Sequence, residues 1–279
     1  MVTFITERIS NHIIRIHGLM DEQMYLVEGK QRAALIDTGS GAGSLKECVR
    51  RFTDKPIIVL LTHGHLDHAM GAGEFDEIYM NHRDQEIYEE HRSLPLRKLF
   101  LSDAPAFADI KESDYAKTLP ATAFHDLQEG DVFDLGGISI ETFACPGHTA
   151  GSMVFLFRED RMLLTGDACN KFTFLYAAYS TTLSEYERNL RKLIKKVDGK
   201  YDRVLLSHGD SNAQKEILQE VLDVCKDIRD GKAADIPFSY RTDLDGSHGF
   251  IAKAIGEDMM RIDGKEGNIV YNPERILQE

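Results

Sequence analysis

The sequence predicts a layered α/β fold. Short strand-like runs alternate with amphipathic helical stretches, and the apolar run Ile57-Ile58-Val59-Leu60-Leu61 has the length and β-branched content of a strand buried on both faces. The same rhythm returns in the second half of the chain, so a sheet is expected in each half. Composition agrees with a packed core: 42% of the 279 residues are hydrophobic and 28% charged, and no apolar run is long enough to span a membrane.

Along the first half, strands are expected at Ile9 to Ile16, Met24 to Val27 and Ala33 to Ile36, the last two joined through Glu28-Gly29-Lys30-Gln31. A helix from about Gly43 to Phe52 leads into the buried run. From about residue 82 to 124 the pattern changes to charged helical pieces broken by Pro95, Pro105 and Pro120, which reads as an inserted helical cap. Its Phe100, Phe107, Tyr115 and Phe124 suit either an apolar wall for substrate or a homodimer surface.

Strands then resume at Ile138 to Phe143, Met153 to Phe157 and Arg161 to Leu164. Leu183, Tyr186, Leu190, Leu193 and Ile194 fall on one face of a helix from Leu183 to Val197, with Ser180 to Thr182 offering N-caps. Val204-Leu205-Leu206 is a further buried strand, and Ala213 to Arg229 a second amphipathic helix. The C-terminal extension, about 231 to 279, is expected to end in a hairpin of Met259 to Ile262 with Ile269 to Tyr271. No linker divides the chain, so residues 1–279 are expected to form a single domain.

Charge narrows the partners. With 33 Lys and Arg against 46 Asp and Glu the formal net charge is −13, which opposes binding to nucleic acid. The partner expected is a small-molecule substrate. The amino-terminal Met1-Val2-Thr3-Phe4-Ile5 has no basic leader and no apolar run, from which a cytoplasmic location is expected, and the four scattered cysteines are expected to be reduced packing residues.

Chemistry concentrates in Thr62-His63-Gly64-His65-Leu66-Asp67-His68, directly after the buried strand. Three imidazoles and a carboxylate within six residues suit zinc or a comparable first-row ion. Three more elements follow predicted strands in the same way: Pro146-Gly147-His148-Thr149, Thr165-Gly166-Asp167-Ala168 and Ser207-His208-Gly209-Asp210. A lone His or Asp in such a loop is ordinary turn chemistry. The recurrence is what points to a metal site.

In this order the four pieces resemble the signature of the metallo-β-lactamase superfamily over roughly Phe4 to Asp210. The resemblance implies a four-layer αββα sandwich with two divalent metal ions on its rim, zinc first and iron or manganese as alternatives. His63, His65 and His148 resemble the ligands of one ion, Asp67, His68 and His208 those of the other, and Asp167 the carboxylate shared by both. Asp167 stands where antibiotic-cleaving members carry a cysteine, so the chain looks closer to the glyoxalase II-like and lactonase-like branches. Ala69-Met70-Gly71 departs from the Gly-Gly of glyoxalase II, which speaks against a glutathione thioester.

The reaction implied is hydrolysis of a carbonyl ester, thioester, lactone or amide by a metal-bridging hydroxide, with Asp67 and Asp167 in catalytic roles. The alternatives are an iron-dependent oxidoreductase resembling persulfide dioxygenases, and a small-molecule phosphodiesterase. Asp37 either caps a turn or orients a ligating imidazole. Tyr176, Tyr179 and His248 are candidate substrate contacts, each equally open to a packing or turn role.

Overall fold

A computed structural model describes residues 2–105, 107–240 and 248–277. The first half begins with a meander of β1 (Ile5–Arg8), β2 (Ile13–His17), β3 (Gln23–Glu28) and β4 (Ala33–Ile36). Helix α1 (Leu45–Arg50) returns the chain to β5 (Ile57–Leu60), and α2 (Leu66–Ala69) leads to β6 (Glu77–Met80). The next segment carries α3 (Gln85–His91), α4 (Leu94–Leu101) and several 3₁₀ turns before β7 (His125–Asp126) closes a seven-stranded sheet in sequence order. In that sheet β4, β5, β6 and β7 run parallel.

The second half adds β8 (Val132–Asp134), β9 (Ser139–Ala144), β10 (Met153–Phe157), β11 (Met162–Leu164) and β12 (Thr173–Leu175). Next come α5 (Leu183–Val197), β13 (Arg203–Leu205), β14 (Asn212–Ala213) and α6 (Ile217–Arg229). A six-stranded sheet has the order β14-β13-β11-β10-β9-β8. After α6, β15 (Ile236–Phe238), β16 (Gly249–Ile251) and β17 (Ile269–Tyr271) join β12 in a third sheet of order β12-β17-β16-β15.

Side-chain alternation along the strands assigns the layers. On β4 and β5, Ala34, Ile36, Ile58 and Leu60 meet Met153, Phe155 and Phe157 of β10 in one cluster between the two large sheets. Their neighbours Ala33, Leu35, Ile57 and Val59 face α1 and the cap segment, while Val154 and Leu156 face α5 and α6. Helices therefore cover both outer faces, and the expected αββα sandwich is what forms.

The 82–124 segment is fixed by one buried side chain. Arg97 of α4 donates from Nε to Ser40 O, from Nη1 to Ala116 O and from Nη2 to Gly41 O, each at 3.0 Å. Three carbonyls suit the guanidinium fork, which stays charged without a carboxylate partner. Phe107, Tyr115 and Phe124 pack onto the core beneath the first sheet, and of the four cap aromatics only Phe100 reaches the cavity described below.

Two expectations fail. The strand expected at Ile9 to Ile16 starts only at Ile13, because Ser10 Oγ accepts from the backbone of His12 and Ile13 and makes the turn that joins β1 to β2. The tail hairpin does not form either. Met259 is left-handed at φ 63°, Ile262 is exposed, and β17 pairs with β12 and β16 instead. Strands β1, β6, β7, β8, β12, β14, β15 and β16 go beyond those expected from the sequence. All four cysteines are free and buried, as expected, and no helix among the described residues is long and apolar enough to cross a membrane.

Helix α5 starts where its cap predicts, with Thr182 Oγ1 accepting from Glu185 N at 3.3 Å. Thr182→Ala is expected to lower stability by about 1 kcal/mol, read from the urea unfolding midpoint.

Candidate metal centre

Four loops meet at one rim of the sandwich. The His63–His68 loop leaves β5, His148 lies between β9 and β10, Asp167 follows β11 and His208 follows β13. Because β11 and β13 are parallel neighbours, their C-terminal ends open side by side. The second sheet is tied to the first at this rim: Gln23 N donates to Ser207 O at 2.7 Å, and Tyr25 Oη to Leu206 O.

The seven predicted ligands converge. His63, His65 and His148 form one group, Asp67, His68 and His208 another, and Asp167 groups with His63 and His68. His65 Nδ1 lies 3.0 Å from His63 Nε2 and 2.9 Å from His148 Nε2, and His68 Nε2 lies 3.1 Å from His208 Nε2. Asp167 Oδ2 is 3.7 Å from His148 Nε2, 3.7 Å from His68 Nε2 and 3.4 Å from His208 Nε2, between the two groups.

The partners behind the rings settle which nitrogen carries the proton. His148 Nδ1 faces Phe174 O at 2.9 Å, and a carbonyl only accepts, so this nitrogen is the N–H. Thr62 Oγ1 donates to Asp37 Oδ2 at 2.8 Å and is left to accept from His63 Nδ1 at 2.9 Å. His68 Nδ1 donates to Asp37 Oδ2 at 2.9 Å. The Nε2 lone pairs of His63 and His148 therefore point at the same place, and His65 Nδ1 can donate to only one of them.

Such a cage fits a cation. Neighbouring nitrogens on a tetrahedral ion at about 2.0–2.1 Å sit roughly 3.3–3.4 Å apart, within a few tenths of an ångström of the spacing here. The test on the residues themselves is thus met: lone pairs converge, the rings of His63, His68 and His148 are each backed by an acceptor, and two carboxylates stand by to balance charge.

Electrostatics differ between the groups. Burial, with the imidazoles of His68 and His148 adding, holds His63 well below the usual histidine range; burial, His148 and His63 do the same for His65. Burial also disfavours the charged form of His68, but Asp67, Asp37 and Asp167 outweigh it and raise its pKa well above normal. For His208 burial is likewise outweighed, by Asp167 and Asp67, giving about 9. Asp167 is held well below the carboxylate range because His208 and His68 overcome its desolvation.

Two further residues shape this rim, and sequence reasoning missed both. Asp84 is buried just before α3; its Oδ2 accepts from Gly64 N at 3.0 Å and Thr149 Oγ1 at 2.7 Å, and its Oδ1 from Gly151 N at 2.6 Å. One carboxylate thereby clamps the His63–His65 loop to the His148 loop. Gly151 is required there, since a Cβ would lie 2.6 Å from Asp84 Cγ. His91, at the end of α3, stacks on His65 with centroids 4.9 Å apart and planes at 21°. Its buried Nδ1 and the Nε2 of His65 have no hydrogen-bond partner. Asp84 sits at a helix start but makes no side-chain cap bond there, so no local pattern marks it.

Asp37 orients His68, one of the two roles left open for it, and does so from a left-handed backbone at φ 60°. A cavity of about 500 Å³ opens from the centre, lined at one end by His65, Asp67, His148, Asp167 and His208. Tyr176 and Tyr179 also line it, Tyr179 with its ring 4.9 Å from that of His65. His248 is exposed just before β16 and is not among the described residues lining this cavity; its neighbours 241–247 lie outside the described residues.

The sequence profile described as "Metallo-beta-lactamase superfamily" matches residues 18–208. The chain belongs to the metallo-beta-lactamase superfamily. Among superfamily relatives, the human acyl-coenzyme A thioesterase MBLAC2 is 26% identical over 201 residues, covering 66% of this chain and 72% of that protein. Hydroxyacylglutathione hydrolase GloC of Haemophilus influenzae is 27% identical over 194 residues, covering 65% and 84%. A solved metallo-beta-lactamase from Pontibacter korlensis shares the fold at a TM-score of 0.60 and 17% identity, covering 80% of this chain and 99% of that one. An archaeal superfamily protein from Sulfolobus tokodaii gives 0.54 at 18% identity, covering 84% and 91%.

Two outcomes are expected. Asp84→Asn sets an amide N–H₂ against backbone N–H donors, so metal affinity should fall roughly 10–100-fold while the saturating stoichiometry stays unchanged, as read by chelator competition. In the metal-free protein His68 and His208 have raised pKa values, so both hold protons at neutral pH and must lose them on ligation. Metal binding near pH 7 should therefore release protons, and affinity should climb with pH up to about 9, measured by calorimetry in buffers of differing ionisation enthalpy.

Proposed function

We propose that the protein is a metal-dependent hydrolase that cleaves the thioester of a small molecule with an apolar acyl group. The observation that carries this reading is the opening of the His and Asp cluster directly into a concave, mostly apolar cavity. Two relatives support the bond type, since one is named a thioesterase and the other a hydroxyacylglutathione hydrolase. An ester or lactone presents the same carbonyl to the site.

Five imidazoles and two carboxylates are the ligand types zinc prefers. His63, His65 and His148 would hold one ion, Asp67, His68 and His208 a second, and Asp167 would touch both. Such ions supply a water acidified toward neutrality and a Lewis acid for the carbonyl oxygen.

The remaining work falls to the chain. Asp67 lines the cavity with Oδ2 3.5 Å from His208 Nε2, where its carboxylate can hold and orient the attacking water and take up its proton. Asp37, Thr62 and the Phe174 carbonyl keep His68, His63 and His148 in the tautomers that ligation needs. His91 and Tyr179 pack against the His65 ring and flank the cavity on that side.

The test combines elemental analysis with a panel of acyl thioesters, esters, lactones and small phosphodiesters. Thioester turnover is expected to fall at least 100-fold on chelation, on the order of what loss of a Lewis acid costs, and to return with zinc. Asp167→Asn should lose metal and activity together. Undiminished turnover in the metal-free protein overturns the proposal, as does stoichiometric iron with oxygen consumption and no hydrolysis.

A further inference from the structure

The family match ends at residue 208, yet the cavity does not. Its far wall is formed by Phe174, Tyr176, Phe238, Tyr240, Met259 and Met260, of which the last four lie in the C-terminal extension. Phe174, Tyr176 and Phe238 form a triangle with centroids 5.2 to 5.8 Å apart. Met259 and Met260 stand at the mouth, 48% and 42% exposed. The wall is therefore rigid and aromatic near the metal centre and becomes adaptable methionine at the rim.

The extension is attached to the chemistry through β12. This strand pairs in parallel with β17, Phe174↔Val270 at its middle, and the carbonyl of Phe174 is the group that fixes His148. An arm lying against Phe174 thus has its near end at the metal centre.

We propose that the C-terminal extension builds an acyl-binding subsite, and that the length of the substrate's apolar arm is read along the wall from Phe174 to Met260. The occupant is a flexible, uncharged hydrocarbon chain. The cavity is concave and continuous with the metal centre; Lys171 pairs with Asp210 in its lining, and the carboxylates of Asp21 and Asp258 are left to disfavour an anionic arm. The inference rests on the hydrolase reading only for what happens at the carbonyl end.

The probe is a series of straight-chain alkyl methyl ketones, from propanone upward, titrated calorimetrically into the full-length metal-loaded protein. Affinity should rise roughly threefold to fourfold for each added methylene, then level off once the arm reaches the rim. Met260→Lys, at an exposed position, should end the rise at a shorter ketone and leave the shortest ones unaffected. Phe238→Ala should flatten the series throughout.

Affinity independent of chain length overturns the proposal, and so does a Met260→Lys effect equal for short and long ketones. Binding of neutral phosphatidylcholine vesicles, or self-association, that Met260→Lys abolishes while the ketone series stays flat assigns the methionine rim to a membrane or to a second copy and overturns it likewise. A rising ketone series without turnover of any thioester sinks the hydrolase reading and leaves the subsite standing.

Discussion

Converging lone pairs repel one another, and the metal centre depends on three rings, His63, His68 and His148, each held from behind by an oxygen. Asp37 is the clearest instance. Its carboxylate accepts from Thr62 N at 2.7 Å, Thr62 Oγ1 at 2.8 Å and His68 Nδ1 at 2.9 Å, so one buried anion fixes His68 directly and His63 through the threonine hydroxyl. It does this from a backbone conformation few non-glycine residues adopt. A residue held there is overdetermined by its surroundings: β4 ends at Ile36, the loop leaving β5 supplies Thr62, and both strands lie in register in the parallel part of the sheet.

Asp84 extends the same principle across the two sheets. The His63–His65 loop belongs to the first sheet and the His148 loop to the second, so their relative position would otherwise depend on core packing alone. A buried carboxylate accepting three hydrogen bonds from both loops converts that soft constraint into a specific one. Burial raises the pKa of Asp84, while the hydrogen bonds from Thr149, Gly64 and Gly151 oppose the rise. The cap segment is thus more than a cover. Arg97 anchors it to the turn after β4, and Asp84, at its start, aligns the ligand loops.

What could be read in the sequence follows from what is local. The His63–His68 cluster, the buried run of β5, β10 and the cap of α5 are contiguous patterns, and each lies where periodicity places it. His148, Asp167 and His208 were legible because each follows a strand, and strand ends in such a sandwich share a rim. Asp84 and His91 were not, since their importance arises only when the cap folds back on the ligand loops. The tail misled for a different reason. Met259 to Ile262 looks as strand-like as Ile269 to Tyr271, but pairing depends on which edge is free, and β17 found β12 and β16.

The division of labour at Phe174 shows how chemistry and selectivity can coexist on one strand. Its carbonyl serves His148 and is common to any residue, whereas its ring faces the cavity and could be replaced without moving that carbonyl. The parallel pairing of β12 with β17 holds the backbone where the imidazole needs it. Side chains on β12, β15 and the Met259–Met260 turn are then free to vary in size without disturbing the ligands. A catalytic centre fixed by main-chain and buried carboxylate acceptors, beside a wall made of interchangeable apolar side chains, lets one fold keep its reaction while changing what it admits.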